Sequence, residues 1–423
     1  MDTLNFSHRI FPWVTGLLMA SILVVPGVYV LLTVWLALYG LWHVRGFTAR
    51  VWQPSLTLGA SPIWAGMAVY VAVGMGLGWL HGYKASYFEA YVPMLLAPLI
   101  VNALLVARPP ESMLYWGAAS GAIVAGFVAS YESLLIERGR AIGGLNNEIM
   151  FGDLSVVFGL FSLFGWLYYS KKPFIKLVFI FGFLMAVLAS FLSGSKGGWL
   201  SILTIVIAVA WVQSFNIHWV RRVAFVVIIL IAISFIAFSV PSYLVVDRLV
   251  NGFIAGVNWI NGMPSSGNSV DIRFEMWNQS IQMLIEKPIL GWTKDVATFE
   301  LNKRLLDEGV MKAPGIGYWT QAENDFLQIG IVHGVLGQIS YFFLYFGLIL
   351  GFLKIRNNHS FHHLSNILAI LGIILVILFL QFGISVVVLG RNAFRHTLIV
   401  WAMMILSYMI IAWDAQRPFV PKK

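Results

Sequence analysis

Four stretches of an otherwise apolar chain of 423 residues carry side chains suited to holding an anion or moving a proton. Ser193-Gly194-Ser195-Lys196-Gly197-Gly198-Trp199 sets one cation among small residues, ahead of an apolar helix. The free N–H groups at such a helix start favour an anion. The stretch from Glu137 through Arg138, Gly139 and Arg140 to Gly143-Gly144-Leu145-Asn146-Asn147 offers two guanidinium forks that match phosphate oxygens. Its glycines permit close approach of backbone to ligand. Asp271-Ile272-Arg273-Phe274-Glu275-Met276-Trp277 places Arg273 and Trp277 four apart, on one helix face. Gln321-Ala322-Glu323-Asn324-Asp325-Phe326-Leu327 brings two carboxylates near the first turn of another helix. There they complement the helix dipole, or Glu323 serves as a general base.

Each stretch also has a purely structural reading. Lys196 can snorkel from a tight helical hairpin, and the arginines near 140 can pair with Glu132, Glu137 and Glu148. Arg273 has Asp271 and Glu275 within salt-bridge reach. Phe274, Trp277, Ile281 and Leu284 form an apolar stripe at helical spacing, expected to pack against the membrane domain. His333, in an apolar stretch, reads as a buried, hydrogen-bonded histidine. His359, His362 and His363 read as part of a charged loop, and no metal-ligand spacing occurs beside the four stretches.

The elements that must hold these residues are membrane helices. The chain is 59% hydrophobic and 11% charged, against about 25% charge in a soluble domain. The apolar runs lack a period of two, so they read as helices and not barrel strands. Runs able to cross about 30 Å of hydrocarbon lie near 9–25, 27–44, 61–80, 90–107, 112–131, 150–169, 175–192, 198–214, 222–240, 333–353, 365–388 and 396–413, twelve in all. The first reads as a retained anchor, since no small-residue cleavage site follows it. The fold expected is an all-α polytopic membrane protein with one large, mainly helical outer loop. Its divisions are spans one to nine in 1–240, the loop at 241–332, and the last three spans with a short tail in 333–423.

Charge sets the orientation. With the N-terminus inside, cytoplasmic segments hold 14 of the 27 basic residues, the positive-inside pattern. The +9 net charge therefore needs no nucleic-acid partner. The 241–332 loop then faces outward and holds ten of the 18 acidic residues. Lys84, Arg138, Arg140, Lys196, Arg391 and Arg395 disobey the bias, lying on short outer loops. Cations at membrane depth are costly unless paired, and as a group they suggest a site for a membrane-embedded anion such as a lipid diphosphate. The absence of cysteine removes disulfides and thiol chemistry. Apart from Asp153, near a span end, charges avoid the midplane, and no internal repeat marks a transporter.

In order and spacing these segments resemble the O-antigen ligase family of membrane glycosyltransferases. The resemblance rests on Arg140-Ala141-x-Gly143 with Asn147 and Phe151-Gly152, then on Ser193 through Trp199. It continues with Arg273-x-x-x-Trp277, Pro288-x-x-Gly291, and Asn324-Asp325-Phe326-Leu327 with Gly334-x-x-Gly337, covering roughly 130–350. The family usually has arginine in place of Lys196 and histidine in place of Glu323. The resemblance implies a GT-C-like architecture in the bacterial inner membrane, with the site facing the periplasm. It implies inverting, metal-independent glycan transfer from undecaprenyl diphosphate to a sugar hydroxyl of lipid A–core, with no cofactor. Lys196 and Arg273 would hold the diphosphate, with Arg140, Arg138, Ser195, Asn147 and Trp277 around the ligand. Glu323 would take the proton, and Asn324 and Asp325 would orient it or touch sugar. An O-antigen polymerase and a protein O-oligosaccharyltransferase share these features, and a lipid-linked glycan transporter is the reading from another class.

Overall fold

An apolar chain can satisfy its backbone in lipid by closing hydrogen bonds within each run, and the regular structure is helical throughout the described residues. The computed structural model describes residues 3–136, 139–169, 171–213, 219–263, 269–310, 319–358 and 363–415. The first half comprises α1 (Thr3–Ser21), α2 (Val28–Trp42), α3 (Gln53–Leu58), α4 (Ser61–Leu80), α5 (Ala85–Phe88), α6 (Val92–Ala107), α7 (Ser112–Ser130), α8 (Glu148–Tyr168), α9 (Pro173–Ser193), α10 (Lys196–Gln213) and α11 (Trp219–Ser239). The charged loop contributes α12 (Val246–Ile260), α13 (Ser269–Glu286) and α14 (Lys294–Asp307). The chain closes with α15 (Asp325–Arg356), α16 (His363–Gly383) and α17 (Asn392–Ala415).

Eight of these stretches are long and apolar enough to cross a membrane, which makes the chain a multi-pass protein. They match eight of the twelve runs expected from sequence. The other four runs correspond to the shorter apolar helices Ile10–Ser21, Val28–Trp42, Lys196–Ala210 and Val223–Ser239. With 15 residues, α2 reaches about 22 Å at 1.5 Å per residue. The first two runs are separate helices, divided by a turn ending in Gly27 at φ 75°. Central among the spans is α8, flanked by α7, α9, α10 and α16. The indole of Trp401 packs against Phe158 and Phe161 of α8.

The charged loop folds around a core of its own. Met276, Met283, Ala297, Leu301 and Leu305 meet Ala322, Ile331 and Val332 there. The buried face of α13 is Met276, Gln279, Ser280 and Met283. The fully buried positions thus sit one residue before the expected stripe, of which Phe274, Trp277 and Leu284 are half-buried and Ile281 is exposed. The reason is the partner: α13 buries itself against α14 and α15, while Phe274 turns to stack on Trp259 of α12.

One long helix joins loop and spans. α15 is broken at Gly334, whose φ of 63° and ψ of −162° are not helical. At the break, Val335 N–H donates to Pro288 O at 2.7 Å, and Trp292 N–H donates to Ile331 O at 2.7 Å. The Pro288-x-x-Gly291 and Gly334-x-x-Gly337 motifs are thus two halves of one joint. A Cβ on Gly291 would stand 2.6 Å from the Gly334 nitrogen, and one on Gly334 would overlap the carbonyl oxygen of Ile289.

Candidate active site

Three helix starts converge on one cavity of about 300 Å³, lined by the first residues of α8, α10 and α13. Their positive dipole ends favour an anion there. Asn147 caps α8 by accepting Met150 N–H at 2.9 Å, and also lines the cavity. Ser195 precedes α10 and donates its hydroxyl to Asp153 Oδ1 at 2.6 Å. Asp153 is wholly buried inside α8 and so ties the Ser193–Gly198 turn to the central helix. The turn fits only because glycines face it. A Cβ on Gly152 would overlap Ser193 Oγ, and one on Gly198 would stand 2.8 Å from Ser190 Oγ. The small residues of this motif therefore have a packing cause as well as a ligand-facing one.

Five cations line the cavity: Arg140, Lys196, Arg248, Arg273 and Arg391, against the carboxylates Glu148 and Glu323. Arg140 is held by Ser193 O at 2.7 Å and Glu148 Oε1 at 2.6 Å. Lys196 reaches back to α12, where a Cβ on Gly252 would stand 2.9 Å from its Nζ. Arg273 Nη2 lies 3.9 Å from Glu323 Oε2, and Arg391 Nη2 lies 3.8 Å from Glu323 Oε1. These are loose pairs, longer than charge-assisted hydrogen bonds of about 2.7–2.9 Å. The Nε atoms of Arg248, Arg273 and Arg391, and Glu323 Oε2, are buried without a hydrogen-bond partner. Unsatisfied donors on three guanidinium groups around one cavity suit a multivalent anion.

Glu323 stands just before the helix that follows it, near its first turn as expected. Asn324 is the N-cap of α15, accepting Leu327 N–H at 3.0 Å. Glu323 precedes the cap in a left-handed conformation with φ 48°. Its side chain is buried, and burial pushes the carboxyl above its ordinary range against the pull of Arg273 and then Arg391. A carboxylate so placed holds a proton more tightly than an exposed glutamate.

Of the residues expected from sequence, Lys196, Arg273, Glu323, Arg140, Ser195 and Asn147 share this cavity. Three do not line it. Trp277 packs on the core of the charged loop and against Phe274. Asn324 has its amide on Ile384 O at 3.3 Å and its carbonyl oxygen on the cap. Asp325 accepts Leu389 N–H at 3.2 Å and faces a different cavity. Arg138, like His359 and His362, lies outside the described residues. Two cations were given no individual role by sequence. Arg391 was only one of the outer-loop basic residues, and Arg248 only one of the loop's seven. A signal for Arg248 exists: it is a cation in the first turn after the last apolar run before the loop. His333 is buried and bonded to the Tyr87 hydroxyl at 2.5 Å, as expected.

The match to a known family falls on this region. The family model described as O-antigen ligase matches residues 181–342. An uncharacterized protein of Haemophilus influenzae (strain ATCC 51907 / DSM 11121 / KW20 / Rd) is 22% identical over 310 residues, covering 72% of this chain and 73% of its own. The matched family stretch contains Lys196, Arg248, Arg273 and Glu323, four of the cavity's charged residues, and over that stretch the chain is similar to the O-antigen ligase family.

Proposed function

We propose that this protein is an inverting glycosyltransferase of the inner membrane. It would transfer a glycan from undecaprenyl diphosphate to a sugar hydroxyl of lipid A–core at the periplasmic face. The observation that carries the reading is the seating of Glu323 between Arg273 and Arg391 in a cation-lined cavity. A lipid diphosphate is an anion before and after the reaction, and cations aimed at it stabilise the charge that grows on the leaving oxygen. Lys196, Arg248 and Arg273 are the groups for that task. The acceptor oxygen attacks the anomeric carbon as the bond from that carbon to the phosphate oxygen breaks. The bonding pair leaves on the diphosphate, and the acceptor proton passes to Glu323. One displacement with one base inverts the anomeric centre. A retaining route by double displacement needs a covalent nucleophile, and the carboxylate in this cavity beside Glu323, Glu148, is engaged by Arg140.

The test is genetic and enzymatic. Expression in a ligase-null strain with intact surface-glycan synthesis should restore core-linked ladders on a lipopolysaccharide gel. Arg273→Ala and Lys196→Ala should each lower transfer by roughly 10²–10³-fold, the loss seen when one oxyanion donor is removed, with protein levels in the membrane unchanged. Rescue of a polymerase-null strain without core-linked ladders would reject the ligase reading in favour of polymerisation.

A further inference from the structure

The cavity that holds Glu323 shares a wall with a second one, of about 230 Å³. Two chain segments make the wall, and each alternates between its two sides. Glu323 lines the cationic cavity, while Gln321 and Asp325 line the second. Arg391 lines the cationic cavity, while Gly390 and Asn392 line the second. The segments are fastened together. Leu389 N–H donates to Asp325 Oδ1 at 3.2 Å, the middle residues Glu323 and Arg391 pair at 3.8 Å, and a Cβ on Gly390 would stand 2.9 Å from Gln321 Nε2. The wall is thus one residue thick in each segment, with the candidate base set in it.

The chemistry behind the wall differs from that in front. Two carboxylates, Glu89 and Asp325, balance two cations, Lys294 and Arg395, so nothing there concentrates a diphosphate. The guanidinium of Arg395 is engaged at both terminal nitrogens, by Leu389 O at 2.7 Å and by Asn392 Oδ1, and only its Nε is left without a partner. Tyr87 Oη bridges Tyr91 Oη at 2.8 Å and His333 Nε2 at 2.5 Å. Asp325 is wholly buried, yet its Oδ2 has no hydrogen-bond partner, and neither has Gln321 Oε1. Buried acceptors without donors call for a ligand that brings hydroxyl or N–H groups. Neutral phenol and amide groups beside aromatic rings suit a polyol, whose hydroxyls bind the polar atoms while its C–H faces cover the rings. The volume is below the roughly 300–1,000 Å³ of sites for drug-sized ligands, which fits one sugar ring and not a glycan chain.

We propose that the second cavity seats the terminal sugar of the acceptor, with its reacting hydroxyl turned toward Glu323 in the wall. The proposal rests on the transfer reading of the cationic cavity and adds where the acceptor sits. Donor and acceptor then enter from opposite faces of the same two segments.

The test uses full-length protein in nanodiscs, undecaprenyl-diphosphate-linked glycan as donor and O-antigen-free lipopolysaccharide as acceptor, each titrated in turn. Gln321→Ala and Tyr91→Phe should raise the acceptor KM about tenfold, the loss expected for one buried hydrogen bond, and leave the donor KM unmoved. Ser86 is exposed at the rim, so Ser86→Trp obstructs the cavity without disturbing packing and should raise the acceptor KM alone. An unmoved acceptor KM in all three variants, or a rise in donor KM instead, overturns the proposal while wild-type transfer stands. No transfer by wild-type protein to this acceptor overturns the transfer reading itself, and this one with it.

Discussion

Glu323 holds a backbone conformation that most side chains avoid. Left-handed φ on a residue other than glycine costs of order 1–3 kcal/mol and persists only where the surroundings enforce it. Here Asn324 fixes the chain on one side as a cap, and Ala322 N–H donates to Gln328 Oε1 at 2.7 Å on the other. Histidine is among the residues enriched in this region of backbone space, so the backbone at 323 accepts either residue type as a base. The pH dependence follows from the sign of the shift. Glu323 must be deprotonated to accept a proton, and burial raises its pKa above the ordinary carboxyl range. Transfer should therefore fall as pH drops through that raised value, an acidic limb higher than an exposed glutamate gives. Glu323→His should move the limb by less than the roughly two units that separate the free side chains, since burial raises a carboxyl's pKa whereas burial and neighbouring cations lower an imidazole's. Initial rates from about pH 4 to about pH 9 check both, and full activity in Glu323→Gln removes Glu323 as base. The residue types were legible in the sequence, and so was a cue to the geometry. Asn324, three residues before Leu327, is a strong N-cap, and that places Glu323 outside the helix.

The joint at Gly334 is the feature that ties the charged loop to the spans. Gly334 lies in backbone space essentially reserved for glycine and is in contact with Ile289. Gly334→Ala should cost at least about 1–3 kcal/mol and lower the melting temperature in detergent. Gly262 offers the contrast, since it has φ 68° but nothing within 4 Å of an added Cβ. Gly262→Ala should shift the transition less, and equal shifts would remove the joint from the account. The apolar runs were legible because helical periodicity is local. The joint was not, because it needs residues 288–291 and 331–335 to meet, and no local pattern says so. The face of α13 fails for the same reason: a local stripe implies one partner, whereas α12, α14 and α15 all meet this helix.

At the scale of the molecule, five cations from five separate stretches share one cavity. Burial weakens the hold of Arg140 and Arg248 on their protons, and Arg273 weakens both further. The cluster repels itself, and an anion seated in it stabilises the fold by mass action, about 2.7 kcal/mol at a hundredfold excess over Kd. Inorganic pyrophosphate should therefore raise the melting temperature, less so as salt is added, and Arg248→Ala should weaken the effect; a salt-independent rise would point to a different site. That these stretches meet was legible only through the order of the motifs and the resemblance it carried. Arg248 and Arg391 belong to no quoted motif and became visible only in three dimensions. The loop's own core has a last consequence. Ile331 and Val332, which help close it, lie on the same helix that continues into the spans beyond Gly334. A fragment cut at 332 would carry that core without the Val335 anchor on Pro288. Chimeras between relatives should therefore exchange Pro241 through Gly337 as one cassette, since grafts ending at 332 would sever the joint they need in order to dock.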